Sequence, residues 1–144
     1  RWRDMAVFHT QRRVGWADAD YAGIIFYPRY FEMLNSVIDE WFETAIGASF
    51  AGLIDAYQVG APMGEIQARF DGACRLGDVL DFELSVVRLS SKTVTIASTA
   101  SVSGETRIRT NATHICAHTD ISGAAPWPPG LVEKMKHYRN EEAA

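Results

Sequence analysis

The chain has 144 residues, with 14 Lys and Arg against 18 Asp and Glu, for a formal charge of −4. Apolar residues at 47% and charged residues at 22% exclude a disordered chain and are enough to build one domain over residues 1–144. The charge balance argues against nucleic acid as a partner, and no stretch approaches the roughly 18 apolar residues of a membrane helix.

Residues 7–17 predict a strand with imperfect alternation, interrupted by the turn-favouring run Asp18-Ala19-Asp20-Tyr21-Ala22-Gly23. Ile24 to Tyr27 is a short apolar run, and Pro28 then suits the first turn of a helix, where a missing N–H costs nothing. Phe31, Leu34, Ile38, Trp41, Phe42 and Ala45 recur at three- and four-residue steps with polar residues between them. This spacing predicts an amphipathic helix ending near Gly47, with Trp41 and Phe42 in the core. A shorter helix is expected over Phe50 to Tyr57.

After Gly60 the period changes. Met63 to Ala73 alternates loosely, with a bend at Gly72. Leu80 to Val86, Val94 to Val102 and a last long strand from Glu105 to His118 follow, joined by the short connections Ser90-Ser91-Lys92 and Ser103-Gly104-Glu105. Leu131, Val132, Met135 and Tyr138 suggest a terminal helix beyond the prolines at 126, 128 and 129. One long helix followed by consecutive antiparallel strands is an α+β arrangement.

Cys74 and Cys116 stand alone in apolar stretches and read as small core residues, not a disulfide framework. No apolar run follows the charges of Arg1-Trp2-Arg3-Asp4, so no secretory signal is expected and a cytoplasmic, reducing compartment is. His114 and His118 lie in a strand pattern, where four residues span about 13 Å, too far to share one ion. No nucleophile elbow, phosphate-binding loop or dinucleotide fingerprint occurs.

The chemistry therefore points to the segment from Asp18 to Pro28. Two carboxylates and a glycine turn feed into the start of the most apolar helix. Free N–H groups and the helix dipole there can stabilise an oxyanion on a bound carbonyl, and a carboxylate beside it can attack or activate water. From the residues alone, capping of the turn or helix by Asp18 and Asp20 is the favoured reading, because aspartate at a helix start is common.

This stretch resembles the signature of the 4-hydroxybenzoyl-CoA thioesterase family of hotdog-fold proteins. That pattern is an aspartate, any residue, a second aspartate, two more residues, a glycine, apolar residues, Tyr-Pro and an aromatic-rich helix start. Asp18, Asp20, Gly23, Ile24, Ile25, Tyr27, Pro28, Tyr30 and Phe31 satisfy it without a gap, and the order of elements agrees from about residue 8 to 118. The resemblance implies a long central helix wrapped by a curved antiparallel sheet of about five strands, pairing as a homodimer or homotetramer.

The resemblance also implies an acyl-CoA thioesterase acting on an aromatic or short-chain acyl group, with coenzyme A part of the substrate and no separate cofactor or metal. Asp20 corresponds to the catalytic carboxylate, as nucleophile or base for water, and the Tyr27 N–H to the group that polarises the thioester carbonyl. Asp18 takes a structural or supporting place. The hairpin Arg88-Leu89-Ser90-Ser91-Lys92 corresponds to the phosphate-binding hairpin, with Lys92 and then Arg88 as the cations. Ser90 and Ser91 stand where the family is richer in Arg and Lys. Asn35 stands where the hydroxybenzoyl enzyme has a carboxylate. The other readings are a non-catalytic acyl-CoA-binding hotdog module and a hotdog dehydratase. The latter needs a histidine near the helix start, and none lies between His9 and His114.

Overall fold

In a computed structural model, which describes residues 6–140, one long helix lies on a five-stranded antiparallel sheet. The strands are β1 (Phe8–Arg13), β3 (Met63–Phe70), β4 (Val79–Leu89), β5 (Thr93–Val102) and β6 (Glu105–Ile115), in the spatial order β1-β4-β5-β6-β3. A separate two-stranded ladder joins β2 (Val59–Gly60) to β7 (Ala117–His118). No helix is long and apolar enough to cross a membrane among the described residues.

Helix α1 (Tyr27–Trp41) forms where the sequence predicts it. Phe26 is extended and serves as its N-cap, and Pro28 sits in its first turn. Tyr30, Met33, Leu34, Val37, Ile38 and Trp41 recur along one face and are all buried. The chain continues through a wider π-helical turn, Phe42–Ile46, that keeps both Phe42 and Ile46 inside. It stops at Gly47, whose φ of 111° a side-chain-bearing residue rarely adopts. Helix α2 (Phe50–Tyr57) matches its expected span, and the Ser49 hydroxyl caps it by accepting the Gly52 N–H at 3.0 Å.

The inward apolar members of the alternating strands pack with α1. Leu80, Phe82, Leu84 and Val86 of β4 join Val94, Ile96 and Ala100 of β5 and Ile108 and Ala112 of β6 in one cluster with the helix. Register shifts at Gly64 of β3, Val87 of β4 and Arg107 of β6 add local twist and help long strands curve around the helix. Cys74 and Cys116 are buried free thiols within this core.

Three boundaries differ from the expected ones. The first strand ends at Arg13, not near residue 17, because Val14 turns its N–H to Asp78 O and Trp16–Asp18 form a 3₁₀ turn. The strand expected from Met63 to Ala73 stops at Phe70, where the Asp71 and Gly72 N–H groups both go to Arg107 O. The last long strand breaks at Cys116, whose N–H bonds Lys92 O, leaving β7 to pair with β2. The terminal helix, α3 (Leu131–Lys136), is followed by a tail in which Tyr138 O and Asn140 N–H bond Val86, alongside β4 beyond the end of β1.

His114 is a buried imidazole on β6. One ring nitrogen lies 2.7 Å from Ala61 O, the other has no partner among the described residues, and the rings of Phe42 and Phe50 flank it at 6.4 and 5.9 Å. Burial pushes its pKa below the ordinary 6.5, against the opposing pull of the Ala61 carbonyl. The fold thus stabilises neutral His114, a contribution fully present above pH 6.5 and lost as pH falls toward the lowered value. Thermal melts at pH 7.5 and 5.0 should show the wild type losing more midpoint than His114→Phe. Parallel losses in the two chains would show that His114 is not the responsible group.

Candidate active site

The Asp18–Pro28 segment is held from both sides by backbone hydrogen bonds. The Asp18 carboxylate accepts the Gly15 N–H at 2.8 Å, and its carbonyl accepts the Phe26 N–H at 2.9 Å. Asp18 thereby ties the 3₁₀ turn to the helix start. Ile25 donates to Cys74 O at 2.7 Å and Leu76 donates to Gly23 O at 2.9 Å, so the loop rests against residues 74–76.

Asp20 sits at the head of this loop. Its N–H goes to Ile24 O at 3.0 Å, its carbonyl accepts the Gly23 N–H at 2.9 Å, and one carboxylate oxygen accepts the Ala22 N–H at 2.9 Å. The last contact is an Asx turn, which orients the carboxylate while the residue stays exposed. Gly23, at φ 81°, closes the turn where a Cβ would be strained.

Tyr27 is the first residue of α1. Phe26 O accepts both the Arg29 and Tyr30 N–H groups, at 2.8 and 3.3 Å, and Pro28 has none to offer. The Tyr27 N–H has no acceptor among the described residues. A free N–H at a helix start carries partial positive charge and suits a carbonyl oxygen that becomes negative.

Asp20 and Tyr27 line one open groove of about 550 Å³, whose other wall is Phe70 to Cys74. That wall is braced by Arg107, which donates to Ala73 O, and by Asp71, whose carboxylate meets Arg69 at 2.7 Å and Arg109 at 3.2 Å. Tyr27, Phe31 and Asn35 fall on one stripe of α1, with Phe31 edge-on to Phe70 at a centroid distance of 6.1 Å. Asn35 is exposed, about 12 Å along the helix from Tyr27.

The hairpin residues lie elsewhere. β4 starts beside the loop at Val79 and reaches Leu89 about 33 Å away, so Arg88, Ser90, Ser91 and Lys92 occupy the opposite end of the sheet. The Ser90 hydroxyl is used within the hairpin, accepting the Thr93 N–H at 3.0 Å and bonding the Thr93 hydroxyl at 2.7 Å. Sequence reasoning did not find the Phe70–Cys74 wall. Its one signal, the bend at Gly72, says nothing about which loop it will face.

The sequence profile of the thioesterase-like superfamily matches residues 14–135. No curated protein sequence matches the chain. Among solved structures, a 1,4-dihydroxy-2-naphthoyl-CoA thioesterase from Synechocystis superposes with a TM-score of 0.81 at 20% identity, over 90% of this chain and 96% of its own. A gentisyl-coenzyme A thioesterase gives 0.77 at 23% identity, over 90% and 99%. A thioesterase-superfamily protein from Jannaschia sp. CCS1 gives 0.85 at 20%, over 94% of each chain. These likenesses establish the hotdog fold. With the profile spanning β4, β5, β6 and the whole loop and helix start, the chain belongs to the thioesterase-like superfamily of thioester hydrolases.

Proposed function

We propose that the protein hydrolyses an acyl-CoA thioester, with an aromatic, hydroxybenzoyl-like acyl group ahead of a short aliphatic one. The observation that carries this reading is the pairing of the Asp20 carboxylate with the unused Tyr27 N–H in one groove. The thioester oxygen accepts from Tyr27, which makes the carbonyl carbon electrophilic. Asp20 then either adds to that carbon, expelling the CoA thiolate and leaving an anhydride that water cleaves, or removes a proton from a water that adds directly. The products in both routes are the free acid and CoA.

The aromatic preference rests on Phe31 and Phe70 beside the groove and on Asn35 farther along the same stripe. An amide there can bond a ring hydroxyl, in place of the carboxylate of the hydroxybenzoyl enzymes. The names of two solved neighbours, a dihydroxynaphthoyl-CoA and a gentisyl-CoA thioesterase, agree with hydroxyaryl substrates.

The working form is proposed to be at least a homodimer in the cytoplasm. β3 has β6 on one side and no strand on the other among the described residues, and all eight of its residues are exposed. Met63, Ile66 and Phe70 lie in register with the core-facing His114, Ala112 and Ile108, so an apolar row runs along an open edge. A second β3 pairing antiparallel there would bring its Met63 end, near the Thr93–Ile115 pair, to the Phe70 end of this groove. Only in such an assembly do Arg88, Ser90, Ser91 and Lys92 of one copy approach Asp20 of another.

A thiol-release assay on benzoyl-, 4-hydroxybenzoyl- and butyryl-CoA tests the reading. The hydroxyaryl ester should show the highest kcat/KM, and Asn35→Ala should reduce that preference about tenfold, the worth of one hydrogen bond. CoA-ester binding without thiol release would instead identify a non-catalytic binding module.

A further inference from the structure

Two depressions meet at Asp20. Beside the groove that holds Tyr27 lies a notch of about 440 Å³, formed by Trp16, Tyr21 and Leu76 with Ala19 and Gly23 at its base, and Asp20 is the residue common to both. Trp16 is 85% exposed, Tyr21 fully exposed and Leu76 41% exposed. Large apolar side chains gathered this way on a surface mark a binding site more often than scattered ones do. The backbone under them is fixed. Trp16 opens the turn closed by Asp18 and Gly15, Tyr21 lies inside the Asp20–Ala22 Asx turn, and Leu76 is bonded to Gly23.

Positive charge stands at the rim. Arg75 bridges Ile24, between groove and notch, and Arg13 closes β1 just ahead of Gly15. Both side chains are exposed, and neither has an ion-pair or hydrogen-bond partner among the described residues. The nearby carboxylates of Asp18 and Asp78 already accept the Gly15 and Arg75 N–H groups.

A thioester whose carbonyl rests between Asp20 and Tyr27 has two arms, which must leave on opposite sides of Asp20. The groove runs between the helix start and Phe70, which Phe31 meets edge-on, and that side suits the acyl arm. The other arm crosses Asp20 into the notch. We propose that the Trp16–Tyr21–Leu76 notch, with Arg75 and Arg13 at its rim, holds the nucleotide-bearing thiol arm of the substrate. The indole and phenol rings offer flat faces to the amide chain and the base, and the guanidinium groups offer charge-assisted hydrogen bonds to the phosphates. This assignment rests on the thioesterase reading of the same site. It also gives the chain a phosphate anchor of its own, independent of the distant Ser90–Lys92 hairpin.

Calorimetric titration of the intact protein with coenzyme A tests the notch without requiring turnover. Trp16→Ala should weaken binding about tenfold, as loss of one stacked base does. Arg75→Ala should weaken it several-fold and flatten its dependence on salt. Ile121→Ser, an equally exposed apolar position on a remote loop, serves as the control and should bind as the wild type does. Both replaced side chains are exposed, and a thermal melt checks that each variant is folded. Affinities within twofold of wild type for Trp16→Ala and Arg75→Ala would overturn the proposal, as would failure of the wild type to bind coenzyme A at about 1 mM. Intact coenzyme A binding with no thiol release from any ester would defeat the catalytic reading and leave the notch standing.

Discussion

Asp20→Asn should lower turnover by about a thousandfold while leaving the protein folded. The asparagine oxygen can still accept the Ala22 N–H that Asp20 now accepts at 2.9 Å, so the Asx turn and the path into α1 survive. The negative charge and the ability to add to carbon or take a proton from water do not. Steady-state thiol release, read beside the circular dichroism spectrum and melting midpoint, separates chemistry from folding. Asp20→Ala, which removes the turn contact as well, should lose the activity and some stability too. Wild-type turnover in Asp20→Asn would remove Asp20 from the reaction and return it to the capping role that the residues alone also allow.

The second large effect is expected at the open sheet edge. Ile66→Lys places a charge in the middle of β3, on the face registered against Ala112, and natural edges use lysine to stay unpaired. Ile66 is already 37% exposed in the single chain, so the fold itself should lose no more than about 1 kcal/mol. An assembly that pairs β3 with β3 would bury the charge and separate. Sedimentation velocity should then report the monomer, and kcat/KM should fall by at least about tenfold because the Phe70 end of the groove loses its cover. A variant that keeps both the wild-type mass and activity would show that this edge is not the interface.

Much of the architecture was legible because helix and strand patterns are local. The three- and four-residue recurrence from Phe31 to Trp41 marked α1, and the second helix was expected over Phe50 to Tyr57, the span α2 takes. Alternation marked β4 and β5, whose inward members are the core. The misplaced boundaries share one cause. Just past β1, β3 and β6, the N–H groups of Val14, of Asp71 and Gly72, and of Cys116 go to Asp78, Arg107 and Lys92, on or beside neighbouring strands remote in sequence. Nothing in the alternation of β1 or β6 announces such a partner.

The sequence by itself determined the α+β order, the buried faces and the loop that carries Asp20 into the start of α1, since each depends on residues within a few positions of one another. The tertiary structure alone decided that Phe70 to Cys74 would form the facing wall, that Trp16, Tyr21 and Leu76 would gather beside Asp20, and that Ser90 to Lys92 would stand about 33 Å away. The physical reason is the strand order β1-β4-β5-β6-β3. It sets which ends of the sheet meet the helix start, and it follows from how the whole sheet closes over α1 rather than from any periodicity along the chain.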